Sequence, residues 1–361
     1  QYARDRLETA GEWEAAATAH AEHFLVLAEQ AAPQYQRAEQ VEWLARIDAE
    51  HPNLMAASER SLAAGRVESS ARFGWALWMY WWLRGHLVPG HRHMEAVLAH
   101  DLPNGVRARA ELAAATMAFA MDDIETSRRW WRAAERHSEG TPDLVSHANA
   151  VAGVGLSLLA EGDLAGAADC FRRTAPIAAA AGPAGEWTGA LNEIWLGTVA
   201  LLTGDPDRAV DHIERGHASA RDRGDRLTTY VALFNLSQVE AARQRLDVAR
   251  LHLEEGMRLS LETGDLANLA YFLDALAMLE AADGRHARVP ILTGAAQGIR
   301  ETIGARGYGY YRPDPAQGLR AADDARSHLG ADRYDDALDV GRGLSPREAV
   351  ALALGARTRS D

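Results

Sequence analysis

Small and large apolar residues recur along this chain at fixed intervals, and each interval is closed by a polar or glycine-bearing turn. With a small residue near a helix end as the anchor, Ala114, Gly155, Gly197, Ser237 and Ala277 follow one another at 41, 42, 40 and 40 residues. Seven residues past each anchor comes a turn: Met121-Asp122-Asp123, Gly162-Asp163, Gly204-Asp205, Gln244-Arg245 and Gly284-Arg285. Twelve past lie Thr126, Ala167, Ala209, Ala249 and Val289, and sixteen past lie Trp130, Phe171, Ile213, Leu253 and Thr293, mostly large. Nineteen past, the residues are small again: Ala133, Thr174, Gly216, Gly256 and Ala296. Two antiparallel helices cross closely only where small side chains let the backbones approach, with a large apolar residue one turn away to fill the gap. The pattern therefore predicts repeated helix hairpins stacked into an all-α array.

The small, turn, small, large, small spacing resembles the tetratricopeptide helix pair, most clearly in Gly155, Ala167, Phe171 and Thr174 and in Gly197, Ala209, Ile213 and Gly216. The common unit of that repeat is about 34 residues. The longer period here predicts extended second helices and loops such as Ala181-Gly182-Pro183. HEAT and armadillo repeats match the period better but lack this internal spacing. The resemblance implies a right-handed superhelical array of antiparallel hairpins. A fainter copy lies upstream, where Trp78 precedes Gly85 by seven and Met94 and Val97 take the large and small places. Residues 1–64 read as an amino-terminal helical segment broken at Gly11, Pro33 and Pro52, and residues 65–304 as the array. Residues 305–361 read as a Gly- and Tyr-rich loop and a helical cap.

Composition narrows the function. A hydrophobic share of 47% and a charged share of 25% are ordinary for a globular chain, which excludes wholesale disorder. The formal charge is −13 and every cation is arginine, which argues against a nucleic-acid surface and removes the lysine of a P-loop. The single cysteine, Cys170, excludes a disulfide framework and a multi-thiolate metal site. No apolar run reaches the roughly 20 residues of a membrane span and the amino terminus is polar, so neither a membrane role nor a signal peptide is expected. A cytoplasmic location is the default expectation, and the arginine and alanine bias points to a GC-rich bacterial source.

Several segments resemble the AfsR/LuxR-type signal-transduction ATPases of bacteria. They are Gln1-Tyr2-Ala3-Arg4-Asp5-Arg6-Leu7 with Gly11-Glu12, His20-Ala21-Glu22-His23-Phe24-Leu25, Glu50-His51-Pro52-Asn53-Leu54, and Trp81-Trp82-Leu83-Arg84-Gly85-His86-Leu87. The stretch Gly343–Leu354 is similar to the close of the helical arm in that family. The resemblance implies a sensor arm that follows an ATPase and a winged helix, with a DNA-binding domain elsewhere. Leu344-Ser345-Pro346-Arg347-Glu348 looks like the start of a LuxR-type DNA-binding domain, but only 13 residues follow it. The chain is thus expected to be a sensor arm cut from a longer regulator, to which neither ATP nor DNA binding is assigned.

If the first helix of each pair lines the inner face, offsets −6, −3, +1 and +4 from the anchor share one side. These offsets select Trp75, Met79 and Trp82, then Glu111 and Ala115, then Asn149 and Leu156. They continue with Leu191, Ile194 and Thr198, then Val231, Phe234 and Gln238, and end with Tyr271, Asp274 and Met278. The result is one mostly apolar groove, suited to a peptide, a protein segment or an apolar small-molecule effector. The competing reading is that some of these side chains pack against neighbouring repeats or the cap.

The other candidates carry less. Trp75, Trp78, Tyr80, Trp81 and Trp82 point in several directions on one helix and read as a buried hub, and Trp130-Trp131 as one ring in and one partly out. Tyr308, Tyr310 and Tyr311 read as a loop packed on the last repeat, or else as a contact surface. The histidines His20 and His23, and His86, His91, His93 and His100, come without an HExxH pattern, so no metal is assigned. Cofactors and catalytic residues are likewise not expected: GxSxG is absent, Asp122-Asp123 and Asp323-Asp324 read as caps or turns, and Cys170 as core. Asn235 occupies a position where tetratricopeptide carboxylate clamps place asparagine, but its equivalents Trp195 and Ala275 do not complete a clamp. The expectation is a non-enzymatic sensing arm of a bacterial transcriptional regulator whose partners are the effector and the regulator's other domains. The alternative is an interaction or oligomerisation scaffold without a small-molecule effector.

Overall fold

A computed structural model of the chain describes residues 6, 9–303 and 315–355. Among the described residues there are 17 α-helices and no strand. The first fourteen helices form seven hairpins. These are α1 (Trp13–Ala31) with α2 (Gln40–Ala63), α3 (Val67–Arg84) with α4 (Leu87–Leu98), and α5 (Asn104–Ala120) with α6 (Ile124–Ser138). They continue with α7 (Leu144–Ala160) and α8 (Leu164–Ala180), then α9 (Glu186–Leu202) and α10 (Pro206–Arg223). The last two are α11 (Arg226–Ala242) with α12 (Leu246–Thr263) and α13 (Leu266–Ala282) with α14 (Val289–Ile303). Three helices follow: α15 (Pro315–Leu329), α16 (Ala331–Arg342) and α17 (Pro346–Ala353). Each helix packs on its hairpin partner and on the next hairpin, giving a tetratricopeptide-like right-handed superhelix.

The turns follow from residue chemistry. Gly162, Gly204 and Gly284 take the left-handed conformation that ends a first helix, and Asp122 and Gln244 adopt it at the same place, with φ of 69° and 62°. Six helices then start on an aspartate whose carboxylate accepts the backbone N–H three residues on. Asp123, Asp143, Asp163, Asp205, Asp225 and Asp265 cap α6, α7, α8, α10, α11 and α13. Each such cap contributes about 1 kcal/mol.

Close crossings occur where the spacing predicts them. A Cβ on Gly155 would lie 2.7 Å from the Phe171 ring, one on Gly197 2.5 Å from Ile213 Cγ1, and one on Gly256 2.2 Å from the Phe272 ring. The first anchor needs correction by one residue. The left-handed turn is at Asp122, not Met121, so the equivalent of Gly155 is Ala115 and not Ala114. The register then places Ser127, Trp131 and Ala134 at the three downstream positions, all buried, while Trp130 is half-buried. The long period also arises differently from expectation. Both helices of a pair are extended, 17 residues in α9 and 18 in α10, and Gly182–Gly185 forms only a 3-10 turn.

Two further expectations change. Pro52 sits inside α2 instead of breaking it, because α2 is held from both sides of the proline by buried Leu44, Ile47, Leu54 and Ala57. The superhelix is also not an open trough, because its first hairpins reach its last. Arg84 Nη1 donates to the Thr263 carbonyl at 2.5 Å, and Arg226 Nη1 donates to the Ala38 carbonyl at 2.8 Å. A Cβ on Gly224 would lie 2.8 Å from Ala38 Cβ, and α2 and α3 touch α12 and α13. The array therefore closes on itself along a seam.

The carboxy-terminal helices pack on the last hairpin. α16 crosses α14 at glycines: a Cβ on Gly294 would stand 2.0 Å from the Leu338 carbonyl oxygen, and one on Gly341 2.1 Å from that of Ile291. The segment resembling the start of a LuxR-type domain folds as α17, opened by a capping box between Ser345 and Glu348. The boundary drawn at 64/65 falls in the turn between α2 and α3. The boundary at 304/305, the Gly307–Pro313 loop with Tyr308, Tyr310 and Tyr311, and the junction segment Gln1–Asp5 with Leu7 lie outside the described residues. No helix of the described residues is long and apolar enough to cross a membrane.

Candidate functional site

Closure of the superhelix converts part of the concave face into a chamber. Its walls are Trp75, Trp78, Met79 and Trp82 of α3, Leu112, Thr116 and Phe119 of α5, and Asn149, Ala152, Gly153 and Leu156 of α7. Trp187, Leu191 and Trp195 of α9, Leu227 and Val231 of α11, and Asn268 of α13 complete the circuit, and Trp131 of α6 enters from behind. Gly153 admits that last ring, since a Cβ there would lie 2.4 Å from the Trp131 indole. Six of the chain's 10 tryptophans thus meet at one cavity of about 110 Å³. Their rings are tilted against each other: Trp75 to Trp78 at 6.3 Å and Trp78 to Trp187 at 6.1 Å between centroids.

Beside the chamber lies a larger space of about 410 Å³, which shares Trp75, Trp78, Met79, Asn149 and Trp187 with it. The outer wall adds Glu29, Tyr35, Gln36 and Arg109. Both charges there are engaged: Arg72 binds Glu29 at 2.8 Å, and Arg109 binds Asp143 at 2.7 Å while lying 5.9 Å from the Trp75 ring centroid. The aromatic run on α3 therefore divides its work. Tyr80 and Trp81 are the buried hub, and Trp75, Trp78 and Trp82 face the chamber.

The remaining predicted groove residues are placed elsewhere. Ile194 is fully buried against α10, within 2.8 Å of where a Cβ on Gly216 would stand, so it belongs to the hairpin interior. Thr198 is buried too, its hydroxyl shared between the Ile194 carbonyl and Asn235 Oδ1 at 2.9 Å. Asn235 in turn donates to the Val231 carbonyl, so it ties α9 to α11. Gln238 is half-buried, hydrogen-bonded to Ser237, and lines neither cavity described here. Glu111 and Ala115 are buried, with Glu111 bonded to His137 Nδ1 at 2.8 Å and its carboxyl held above the usual range by burial. With the corrected anchor at Ala115, the same offsets select Leu112, Thr116 and Phe119, and all three line the chamber.

Phe234, Tyr271, Asp274 and Met278 line a separate cavity of about 380 Å³ whose other wall is Leu319 and Ala322 of α15 and Tyr334 and Leu338 of α16. The predicted single groove is thus two spaces, because α15 lies across α13. Asp274 is ion-paired with Arg300, whose guanidinium lies 5.6 Å from the Tyr271 ring centroid. Elsewhere on the surface, His286, Asp324 and His328 bring donor atoms within 4.8 Å of one another. The two imidazoles are stacked at 3.8 Å and 12°, so their in-plane lone pairs run parallel and do not converge on one ion. His20 and His23 pack on Phe24, and His93 is buried with Ser58 and Ser70 at 2.8 and 3.1 Å. Burial raises the Cys170 thiol above its ordinary range, which disfavours the nucleophilic thiolate.

Sequence reasoning missed Trp131, Trp187, Trp195, Leu227 and Asn268. Trp187 and Leu227 stand at the starts of α9 and α11, beyond the offsets counted, and Trp131 comes from a second helix.

Sequence comparison matches the chain to no protein-family model and to no curated protein. Solved structures do match in fold. A Rap protein complexed with competence and sporulation factor superposes with a TM-score of 0.55 at 11% identity, covering 93% of this chain and 98% of that one. The apo form of RapI gives 0.50 at 15% identity, with 78% and 99% covered. The Rap conjugation gene regulator of plasmid pLS20, in complex with the Phr* peptide, gives 0.50 at 12%, with 92% and 94% covered. At these identities the likeness is one of fold: this chain has the helical-repeat architecture seen in those bacterial proteins.

Proposed function

We propose that this chain is the effector-sensing arm of a bacterial transcriptional regulator of the AfsR/LuxR-type ATPase kind, with its effector held in the tryptophan-lined chamber. The observation that carries the reading is that the chamber straddles the seam. Trp75, Trp78, Met79 and Trp82 come from the early side, and Leu227, Val231 and Asn268 from the late side. An occupant touching both sides gains contacts in the closed arrangement that it lacks in an open one. That differential affinity is what lets a ligand shift a conformational equilibrium. In the parent regulator the shift would pass to the ATPase and then to DNA binding. The fold comparisons support the first step, since two of the similar Rap structures are complexes with competence and sporulation factor and with the Phr* peptide.

The test fills the chamber. Leu156 is half-buried on its wall, so Leu156→Trp occupies the space with little disturbance of the hairpin core. In the intact regulator a folded Leu156→Trp variant should give reporter output that no longer responds to the inducer, whereas Leu156→Ala should still respond. Normal induction through the filled chamber, or in a regulator lacking the array, would overturn the reading.

A further inference from the structure

The seam that closes the superhelix is built beside a pair of stacked histidines. We propose that His51 and His86, with Asp48 and Arg84, form an acid-sensitive latch: protonation of the two imidazoles loosens Arg84 from its carboxylate and opens the superhelix. The latch rests on the closure of the array and not on what the chamber holds.

The geometry sets one carboxylate among three bases. The imidazoles of His51 on α2 and His86 at the head of α4 stack at 4.4 Å between centroids and 5° between planes. Tyr80 of α3 packs on both rings, at 5.4 and 5.8 Å. One turn before His51, Asp48 takes two bonds from Arg84 and a third from the Tyr80 hydroxyl. Arg84 then reaches the Thr263 carbonyl across the seam, and Gly264 leaves it room, since a Cβ there would stand 2.9 Å from Nη1. His51 Nε2 is buried and has no partner among the described residues.

Neutral rings suit this arrangement and charged ones do not. Two imidazolium rings stacked in this way would repel each other and the Arg84 guanidinium. His51 Nε2 would become a buried donor in need of an acceptor, and the carboxylate that acts on it, Asp48, is occupied by Arg84. Either effect weakens the hold that aims Arg84 at Thr263. Burial keeps both histidines below 6.5, and for His86 the charges of His51 and Arg84 add to it, against the upward pull of Asp48. The closed form therefore refuses protons that an open, hydrated form accepts, so acid favours the open form. Each pH unit below 6.5 shifts the closed-to-open ratio by at most about tenfold per histidine. Opening separates the α3 wall of the chamber, with Trp75, Trp78 and Trp82, from Leu227, Val231 and Asn268.

The groups around the pair leave this response to the histidines. Burial raises Asp48, but its bonds from Arg84 and Tyr80 prevail and hold it below the ordinary range, so it stays charged. Burial holds Tyr35 and Tyr80 above theirs, so both stay neutral. Across the seam Asp265, raised by burial, accepts from Tyr230 and Asn268 and is common to every variant below. Charged groups of the other packed helices are engaged elsewhere. Glu29 of α1 holds Arg72, His91 of α4 faces Glu95, and Glu111 of α5 holds His137. Glu262 of α12 faces Arg226, and Arg300 of α14 holds Asp274.

The test follows the seam in the full chain at pH 7.5 and 5.5, by X-ray scattering, acrylamide quenching of tryptophan and circular dichroism. The parent should expand and quench more strongly at pH 5.5 with its helicity intact, and should close again on return to pH 7.5. The double variant His51→Gln, His86→Gln should stay closed at both. His93→Gln removes another buried histidine of the same hairpin and should expand as the parent does. Arg84→Met should already be expanded at pH 7.5. Should the double variant not fold, His86→Gln alone should move the expansion to lower pH. A parent that keeps its dimensions at pH 5.5, or that expands only as its helicity is lost, would overturn the latch. So would a compact Arg84→Met, a His51 or His86 variant that expands at the parent's pH, or a His93→Gln chain that stays closed.

Discussion

Arg84 at the end of α3 donates to the carbonyl of Thr263 at the end of α12, a contact of 2.5 Å across 179 residues of sequence. The same guanidinium holds Asp48 with two bonds of 2.8 Å, which fixes its direction. One side chain thus joins the second hairpin to the sixth. Replacing it by methionine keeps the stem and removes the donors. Arg84→Met should cost roughly 1–3 kcal/mol and widen the seam. A lowered urea midpoint and a larger radius of gyration in X-ray scattering should appear together. Identical scattering from the variant would show that the seam does not depend on this contact.

Two glycines of α9 separate crossing from propensity. Gly197 is a crossing point, where a Cβ would stand 2.5 Å from Ile213 Cγ1 and 2.8 Å from the Ala209 carbonyl oxygen. Gly189 has nothing within 4 Å. Gly197→Ala should destabilise by about 1–3 kcal/mol through overpacking, and Gly189→Ala should stabilise by up to about 1 kcal/mol through helix propensity. Thermal melts of the two variants should move in opposite directions. A shift of the same sign in both would remove the close-crossing account of the repeat.

The same crossings explain how much of the fold was legible in the sequence. Gly155, Gly197, Gly216 and Gly256 announce themselves because only a missing side chain allows the approach. The first repeat slipped by one residue because Ala113, Ala114 and Ala115 are all small, and any of them passes as an anchor. Once Asp122 fixes the turn, Leu112, Thr116 and Phe119 fall on the chamber wall. Ile194 and Thr198 were misplaced for a different reason. The angular position of a side chain on a helix does not say whether it meets solvent, a sibling helix or the next repeat. Seam closure was not legible at all, since Arg84 to Thr263 and Arg226 to Ala38 are single contacts between distant segments, without periodicity.

Acid should loosen the fold in a defined window. Burial holds His20, His51, His86, His93, His217 and His252 below the ordinary value of 6.5. As pH falls through 6.5 the unfolded chain takes up protons that the folded chain refuses, so stability falls with pH from there down to the folded values. The slope is at most about 1.4 kcal/mol per pH unit for each such histidine. Asp225 and Asp265, raised by burial, carry the opposite sign, so a difference between variants isolates the histidine better than the raw profile. His93 sits between Ser58 and Ser70 and is the deepest of the six. Urea midpoints at pH 7.5 and 5.5 should differ less in His93→Gln than in the parent. An unchanged difference would exclude His93 as a contributor.

The last helix is held by its carbonyls. Arg288, in the turn before α14, donates Nη2 to the Leu352 and Ala353 carbonyls at 3.0 and 2.8 Å, and its Nη1 lies 3.4 Å from buried Glu280. A guanidinium at the end of α17 satisfies acceptors that the helix leaves open and opposes its dipole. The helix has only 8 residues, too few to persist alone, so its order depends on docking. Arg288→Ala should therefore release α17 locally, at a cost of about 1–2 kcal/mol, while the array keeps its melting transition. Amide exchange across residues 346–353 should accelerate by roughly tenfold with the α5–α12 amides unchanged. If exchange accelerates throughout, Arg288 supports the array and not the docking of this helix. If it accelerates nowhere, the contacts of α17 with α12 and α14 suffice without it.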